Sequence, residues 1–329
     1  MSNLHADPDE VLCTAEPGSA AAPLEVMTPR DVPLGGPRAM RVRRTLPQRS
    51  RSLIGAWCFV DHYGPDDVAT SGGMVVAPHP HIGLQTVSWL FTGEVEHRDS
   101  AGHRALVRPG ELNLMTAGRG ISHSENSTPG TAVLHGAQLW VALPADARDV
   151  APAFEHFAPA AVRGEGHELR VFLGELAGSR SPVVTHTPLL GAEVLLDAGA
   201  ELRLDVDPAF EHGVLVDLGA PADALLVEGA PLERHELGHL APGRSSVTLR
   251  AGAEPVRLLL LGGPPFEESI VMWWNFVGRS HEEVAAARDD WQQQVAGGHA
   301  ADGRFGVVAG EQERIPAPEL PHVRLRERR

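Results

Sequence analysis

The stretch Gly73-Met-Val-Val-Ala-Pro-His79-Pro-His81 carries two histidines that are separated by one residue and preceded by a glycine and two valines. A valine run bounded by glycine and proline favours a β-strand. Because side chains two residues apart on a strand point to the same face, both imidazoles can reach one ion. The stretch therefore predicts a strand that presents a pair of metal ligands.

A second stretch, Met115-Thr-Ala-Gly118-Arg-Gly120-Ile-Ser-His123-Ser-Glu125, repeats the arrangement after a glycine-rich turn. A single His-x-His is more often an ordinary surface or core pair, but two matching pairs favour a metal site. Imidazole and carboxylate groups suit Fe(II), Mn(II), Ni(II), Co(II) or Zn(II), and neither cysteine lies in either stretch. The sequence alone leaves the metal open. The predicted ligands are His79, His81, His123 and Glu125.

These two motifs are similar to those of the pirins, a family within the cupin superfamily of small β-barrels. The first stretch fits the cupin pattern Gly-x5-His-x-His, but Gln85 and Thr86 stand where most cupins place a glutamate ligand. In the resemblance to pirins, Glu125 supplies that carboxylate instead. The segments Val42–Pro47, Trp57–Pro65 and Gly262–Glu268 resemble further family motifs, so the likeness extends over about the whole chain.

We expect an all-β fold of two cupin-type β-barrel domains, a bicupin, followed by a C-terminal helix. The 35 glycines and 27 prolines, placed between short Val/Leu/Ile runs, favour many short strands joined by tight turns. The expected organisation is a flexible N-terminal lead-in at residues 1–35, a metal-binding domain at 36–145, a linker at 146–168, a second domain without metal at 169–265, and a helix and tail at 266–329.

The predicted helix begins at Ser280-His-Glu-Glu283, which has the spacing of a capping box. Val284, Ala287 and Trp291 follow at helical spacing, and a glycine pair then ends the segment. Tryptophans 273, 274 and 291 could form a stacking surface for an aromatic ligand. We assign them to packing, because aromatic residues at such spacing more often belong to a core.

Charge and composition exclude several functional classes. The net charge of −15 disfavours direct binding of nucleic acid, which depends on cations that neutralise phosphates. All 28 basic residues are arginines, so no lysine is present for a Schiff base or a Walker phosphate loop. Two cysteines far apart, Cys13 and Cys58, indicate a reducing compartment, and no apolar run is long enough to span a membrane. We therefore expect a cytoplasmic protein without a membrane partner.

The resemblance to bacterial quercetinase-like pirins implies a metal-dependent dioxygenase. One divalent ion, Fe(II) first with Ni, Mn, Co, Zn or Cu as alternatives, would bind the deprotonated 3-hydroxyl of a quercetin-like flavonol. Dioxygen would add across the heterocycle with loss of carbon monoxide. Four protein ligands on an octahedral ion leave two positions for such partners. Glu125, the one carboxylate of the predicted set, is the expected catalytic base.

Three alternatives stay open at this point. Other pirins are regulatory proteins whose iron alters a surface that binds a transcription factor or a metabolic enzyme. Other cupins act on different small molecules, such as phenols or enolisable acids, because fold does not fix function. The segment His235-Glu-Leu-Gly-His239 fits a zinc-peptidase signature, but Gly238 and the nearby Ala241-Pro-Gly243 argue against the helix that this chemistry requires.

His97 and His103 are either hydrogen-bond partners of the metal ligands or ordinary strand and turn histidines.

Overall fold

The structure is a computed structural model that describes residues 24–34, 40–297, 303–311 and 313–328. Strands predominate among these residues, and the all-β prediction is confirmed. Most of the predicted lead-in, residues 1–23 and the end of that stretch at 35, lies outside the described residues. No helix in the described part of the chain is long and apolar enough to cross a membrane.

The elements of the first half of the chain are β1 (Glu25–Met27), β2 (Arg30–Leu34), β3 (Met40–Leu46), β4 (Trp57–Asp67), α1 (Val68–Ser71), β5 (Val75–His81), β6 (Leu84–Thr92), β7 (Val95–Asp99), β8 (Arg104–Val107), β9 (Leu112–Thr116), β10 (Ile121–Ser127), β11 (Val133–Ala142) and β12 (Ala153–Phe157). The second half contains β13 (Val162–Gly164), β14 (His167–Leu173), β15 (Glu175–Leu176), β16 (Ser179–Arg180), β17 (Leu190–Leu196), β18 (Glu201–Asp205), β19 (Glu211–Leu218), β20 (Leu225–Val227), β21 (Ala230–Leu232), β22 (Leu237–Leu240), β23 (Ser246–Ala251), β24 (Val256–Gly263), β25 (Val271–Trp273), β26 (Phe276–Gly278) and α2 (His281–Ala296).

The first domain is built from two antiparallel sheets. The larger has the strand order β12-β9-β6-β11-β4-β3-β2, and the smaller has the order β5-β10-β7-β8. Both sheets contribute to one buried cluster, in which Tyr63 and Leu90 of the larger sheet pack with Val76 and Val95 of the smaller. The predicted metal ligands all lie on the smaller sheet, on β5 and β10.

The second domain repeats this plan. Its larger sheet has the order β1-β22-β19-β24-β17-β14-β13, and its smaller sheet has the order β18-β23-β20-β21. Strand β1, from the N-terminal side of the first domain, pairs with β22 at the edge of the second domain's sheet. Met27 of β1 is buried. The sequence did not predict this strand, which lies within the stretch expected to be a flexible lead-in.

The larger sheets of the two domains pack against each other. Their contact is one apolar cluster that includes Val87 and Leu139 from the first domain and Leu215 and Leu259 from the second. At its centre Trp89 stacks on Phe172, with ring centroids 4.6 Å apart. Because buried aromatic pairs contribute strongly to a core, this contact stabilises the interface between the domains.

The chain after the second domain returns to the first. A hairpin of β25 and β26 is followed by α2, whose N-cap Ser280 accepts a hydrogen bond from the Glu283 backbone N–H at 3.1 Å, as the capping-box pattern predicts. Trp273, Trp274 and Trp291 are buried in one apolar cluster, so their assignment to packing is confirmed. The hairpin contacts the end of β5 through a bridge between Ile82 and Phe276.

Candidate metal centre

The predicted ligands lie on two adjacent antiparallel strands of the smaller sheet of the first domain. His79 and His81 are on β5, and His123 and Glu125 are on β10. The register places His79 directly opposite His123. A bulge between His123 and Glu125 shifts the register of β10 against β5 at that point. All four side chains are buried, which is unusual for such polar groups unless they are paired or bind a metal.

The three imidazoles converge on one point. One ring nitrogen from each of His79, His81 and His123 lies within 4.8 Å of the others. The Nε2 atoms of His81 and His123 are 3.1 Å apart. Two neutral ring nitrogens whose lone pairs face each other at this distance repel, so the pair requires a proton or a cation between them.

Glu125 approaches this group from the side of His123. Its carboxylate and the ring nitrogens of His97 and His123 lie within 4.8 Å of one another. The structure therefore brings Glu125 beside one of the three converging histidines, and it adds His97 as a second neighbour of the carboxylate. Burial raises the pKa of the Tyr63 hydroxyl well above its ordinary value of 10.0, and the negative charge of Glu125 adds to this effect.

Backbone carbonyls orient two of the imidazoles. His79 Nδ1 lies 3.0 Å from the Ala77 carbonyl oxygen, and His81 Nδ1 lies 3.0 Å from the Asn275 carbonyl oxygen. A carbonyl only accepts, so each Nδ1 carries the proton and each Nε2 presents a lone pair to the shared point. His79 Nε2 is buried and has no hydrogen-bond partner among the described residues.

Burial keeps the three imidazoles neutral. The pKa values of His79, His81 and His123 all lie well below the ordinary 6.5, chiefly because burial disfavours the charged form. For His81 and His123, the neighbouring His79 adds to this effect. A neutral imidazole with an exposed lone pair is the form that binds a metal ion. The buried Nε2 atom without a partner, the facing nitrogens and the nearby carboxylate together fit a divalent ion.

The immediate walls of the centre are aromatic on one side. The edge of the Trp140 ring lies against His81, with ring centroids 5.2 Å apart, and Trp140 in turn stacks on Phe59 at 4.0 Å. Gln85, which stands where most cupins place a glutamate, donates a hydrogen bond to the Thr116 hydroxyl at 2.9 Å. Gln85 is therefore engaged in a separate contact of the larger sheet.

The family model of pirin matches residues 39–141, and the model of the pirin C-terminal cupin domain matches residues 191–297. The chain belongs to the pirin family. The two cupin-type domains that the sequence predicts are thereby confirmed, and the centre lies in the first of them.

Relatives of this pirin span most of its length. A Pseudomonas aeruginosa protein with the name "putative quercetin 2,3-dioxygenase" is 44% identical over 301 residues, 91% of each chain. A pirin-like protein of Caulobacter vibrioides is 35% identical over 262 residues, 76% of this chain and 88% of its own. The crystal structure of a quercetin 2,3-dioxygenase from Acinetobacter baumannii superposes with a TM-score of 0.84 at 37% identity and covers 93% of this chain and 98% of that one.

A second buried polar cluster joins the two domains of this pirin. Asp217 on β19 accepts hydrogen bonds from His62 Nε2 at 2.5 Å and His135 Nε2 at 2.6 Å, both from the first domain, and from Arg257 Nε at 2.5 Å. Arg43 and Arg257 donate to the Nδ1 atoms of the two histidines. Every ring nitrogen is thus used, so the cluster acts as an inter-domain hydrogen-bond network rather than an open metal site.

The segment with the zinc-peptidase signature has the wrong structure for that chemistry. Leu237–Leu240 forms strand β22, and His239 Nε2 lies 2.9 Å from a Glu211 carboxylate oxygen. His235 precedes the strand in a left-handed backbone conformation with φ of 74°. The two histidines are therefore not one helical turn apart, and the rejection of the peptidase alternative is confirmed.

Proposed function

We propose that this pirin is a metal-dependent dioxygenase that opens the heterocycle of quercetin-like flavonols with release of carbon monoxide. One divalent ion is held by the imidazoles of His79, His81 and His123 and the carboxylate of Glu125. Fe(II) is the first candidate, and Ni, Mn, Co, Zn and Cu are alternatives. The substrates are a small planar aromatic molecule and dioxygen. We also propose that the protein is cytoplasmic. The second domain, in this proposal, binds no metal.

One observation carries this proposal. Three neutral imidazoles, two of them with fixed tautomers, converge on one buried point, and a carboxylate lies beside one of the three. The likeness to the Acinetobacter baumannii structure supports the choice of reaction, since it extends over nearly the whole of both chains. Residue chemistry supports a redox-capable or Lewis-acidic ion, because imidazole and carboxylate ligands suit several first-row metals.

The protein's own residues have separate tasks in this proposal. When bound, a divalent first-row metal supplies Lewis acidity toward the substrate oxygen and an electronic route for reaction with dioxygen. The three histidines hold their lone pairs in place before binding, so little reorganisation is needed. Burial of the ligands excludes bulk water from the reacting groups. Trp140 and Phe59 form a rigid wall behind His81.

Glu125 is the proposed base. A carboxylate beside a cation stays ionised, and its position next to His123 keeps it close to any hydroxyl that binds at the same ion. It would accept the proton of the flavonol 3-hydroxyl at a carboxylate oxygen. In a Glu125→Gln variant that retains metal, we expect turnover to fall by about 100-fold or more. Full turnover in that variant would show that another group takes the proton.

The test is anaerobic purification and reconstitution with each metal, followed by quercetin loss and carbon monoxide release. His79→Ala should lose metal and turnover together, whereas His186→Ala, at an exposed histidine of the second domain, should keep both. Bound metal in the wild type without turnover of any flavonol would contradict the dioxygenase proposal. It would favour the regulatory alternative, in which an iron-dependent surface binds a transcription factor or metabolic enzyme.

A further inference from the structure

The orientation of His123 depends on side chains, unlike that of the other two imidazoles. His123 Nδ1 lies 3.3 Å from His97 Nδ1, and His97 Nε2 lies 3.3 Å from a carboxylate oxygen of Asp99. His97 and Asp99 are on β7, the strand that pairs with β10 on the side away from β5. Both are buried, each about 3% exposed.

The direction of these hydrogen bonds is fixed from the Asp99 end. Asp99 Oδ1 accepts from the backbone N–H groups of Ala101 at 2.9 Å and His103 at 3.0 Å, which orients the carboxylate. Its Oδ2 lies 3.3 Å from His97 Nε2 and 3.0 Å from His103 Nδ1. A carboxylate oxygen can only accept, so His97 Nε2 carries the proton. His97 Nδ1 is then an acceptor, and His123 Nδ1 must donate to it. As a result His123 Nε2 presents its lone pair to His79 and His81.

An aromatic ring packs against this series of hydrogen-bonded side chains. Phe154, on β12, stacks on His97 with ring centroids 4.8 Å apart and planes at 30°. The same ring stacks on His103 at 5.6 Å and 24°. His97 therefore cannot rotate out of line without losing this contact, and its two nitrogens stay directed at Asp99 and His123.

We propose that Asp99 and His97 are positioning residues that fix the metal-binding tautomer of His123. The inference rests on the proposed metal centre, because the tautomer matters only if Nε2 is a ligand. Carbonyls of the backbone do the same for His79 and His81 and cannot be removed by substitution. The tautomer of His123 is thus the one of the three that a side-chain change can reverse.

Asp99→Asn is the sharpest test, since it preserves the shape of the side chain and replaces one hydrogen-bond acceptor by a donor. The asparagine Oδ1 can still accept from the two backbone N–H groups, which places its N–H₂ group opposite His97 Nε2. His97 must then accept at Nε2 and donate at Nδ1, and His123 must accept at Nδ1 and carry its proton on Nε2. We expect metal affinity to fall about 10- to 100-fold.

Two readouts separate positioning from general damage. The ¹⁵N chemical shifts of His123 in the metal-free protein should show a proton on Nδ1 in the wild type and on Nε2 in Asp99→Asn. Metal titration should show the weaker affinity. His103→Asn is the matched control, because it changes the partly exposed neighbour of Asp99 and leaves the side chains of His97 and Asp99 unaltered. Both readouts should match the wild type.

The outcomes distinguish this inference from the proposed metal centre. If the wild type binds no metal, the proposed centre fails, while the tautomer still tests the positioning role in the metal-free protein. If Asp99→Asn keeps the proton on His123 Nδ1 and wild-type affinity, the inference is overturned. If Asp99→Asn does not fold, His97→Phe, which retains stacking on Phe154, is the second variant that tests the positioning role. It should weaken metal binding and leave His123 in mixed tautomers, and unchanged values would also overturn the inference.

Discussion

The two smaller sheets of this pirin have the same strand order, but their interiors differ completely. The order β5-β10-β7-β8 of the first domain matches β18-β23-β20-β21 of the second, strand for strand. The two sheets can be aligned through β10 and β23, which each pair with a strand on either side. The reference position is the first residue of each strand that pairs with both neighbouring strands. That residue is His123 in the first domain and Leu249 in the second.

From this alignment each polar residue of the centre has an aliphatic counterpart. The pairs are His79 with Leu202, His81 with Leu204, His123 with Leu249, Glu125 with Ala251, His97 with Leu225, and Asp99 with Val227. The aliphatic members all belong to the buried core of the second domain. One backbone plan therefore accommodates either a polar centre or an apolar core, and the chemistry resides in the side chains.

The comparison also shows an energetic cost of the centre. Burying polar rings without partners opposes folding, whereas burying leucine and valine stabilises it by roughly 1.5–3 kcal/mol per side chain. The second domain gains this stabilisation at the positions where the first domain forgoes it. We infer that the second domain and the inter-domain contact support the fold around the centre.

The largest expected effect comes from placing the second domain's residue in the first. His123→Leu should reduce metal stoichiometry from one ion per chain to none and abolish turnover, because it removes one of three converging nitrogens. The metal-free variant should unfold at a higher denaturant concentration than the metal-free wild type, since an apolar group replaces a buried polar one. Leu249→Met, a volume-conserving change at the counterpart, is the control and should leave metal content unchanged.

A second prediction concerns the network that joins the domains. Asp217→Ala leaves two buried imidazoles and Arg257 without their shared acceptor, so the free energy of unfolding should fall by about 3–5 kcal/mol. Metal stoichiometry should stay at one, because no ligand is touched. Urea unfolding and metal analysis on the same samples measure both. Loss of metal in a folded variant would mean that the centre depends on the domain contact.

A third prediction concerns His212, a buried histidine on β19 of the second domain. The pKa of His212 is lowered from 6.5 to about 4, chiefly by burial, and its ring nitrogens have no hydrogen-bond partner among the described residues. As the pH falls from 6.5 to 4, the unfolded chain gains a proton that the folded state does not, so stability is lost in that range. The wild type should lose up to about 3 kcal/mol relative to His212→Leu.

Denaturant unfolding of the two proteins at pH 7 and at pH 4 measures that difference. His186→Leu, at an exposed position, corrects for the removal of a histidine as such. A constant difference in stability between wild type and His212→Leu at both pH values would contradict the lowered pKa, because it would mean that His212 gains its proton as readily in the folded state as in the unfolded chain.

The smallest effect on stability is expected at the N-terminus of α2, in the C-terminal segment. Ser280→Ala removes the hydrogen bond that caps α2 and should cost about 1 kcal/mol of stability. Thermal unfolding should detect the loss, and Ser280→Thr should restore most of it. Metal stoichiometry should not change, because Asn275, whose carbonyl orients His81, lies before the helix.

The features of the fold and of the metal centre that depend on residues close together in the sequence could be predicted. Alternation along single strands placed His79 with His81 and His123 with Glu125, and the capping box located the start of α2. The length of the chain and its many short apolar runs indicated two domains, and the family resemblance indicated that they are cupins. His97 was recognised as a candidate partner of the ligands, although its geometry relative to His123 could not be derived from spacing.

Features that join distant parts of the chain could not be predicted. Asp217 contacts His62, which lies 155 positions away in the sequence, and Glu25 of β1 pairs with His239 of β22. No local pattern marks such pairs, because periodicity reports which face a residue occupies and not what lies opposite. Asp99 was missed for the same reason, although its place two residues after His97 on one strand was a usable signal.

The most direct test of the central claim is a crystal structure of the metal-reconstituted protein with anomalous data collected at the absorption edge of the bound metal. We expect one strong peak per chain, within about 2.0–2.2 Å of the Nε2 atoms of His79, His81 and His123 and of a Glu125 carboxylate oxygen. A peak between His62, His135 and Asp217 instead, or no peak in protein that was saturated with metal, would contradict it.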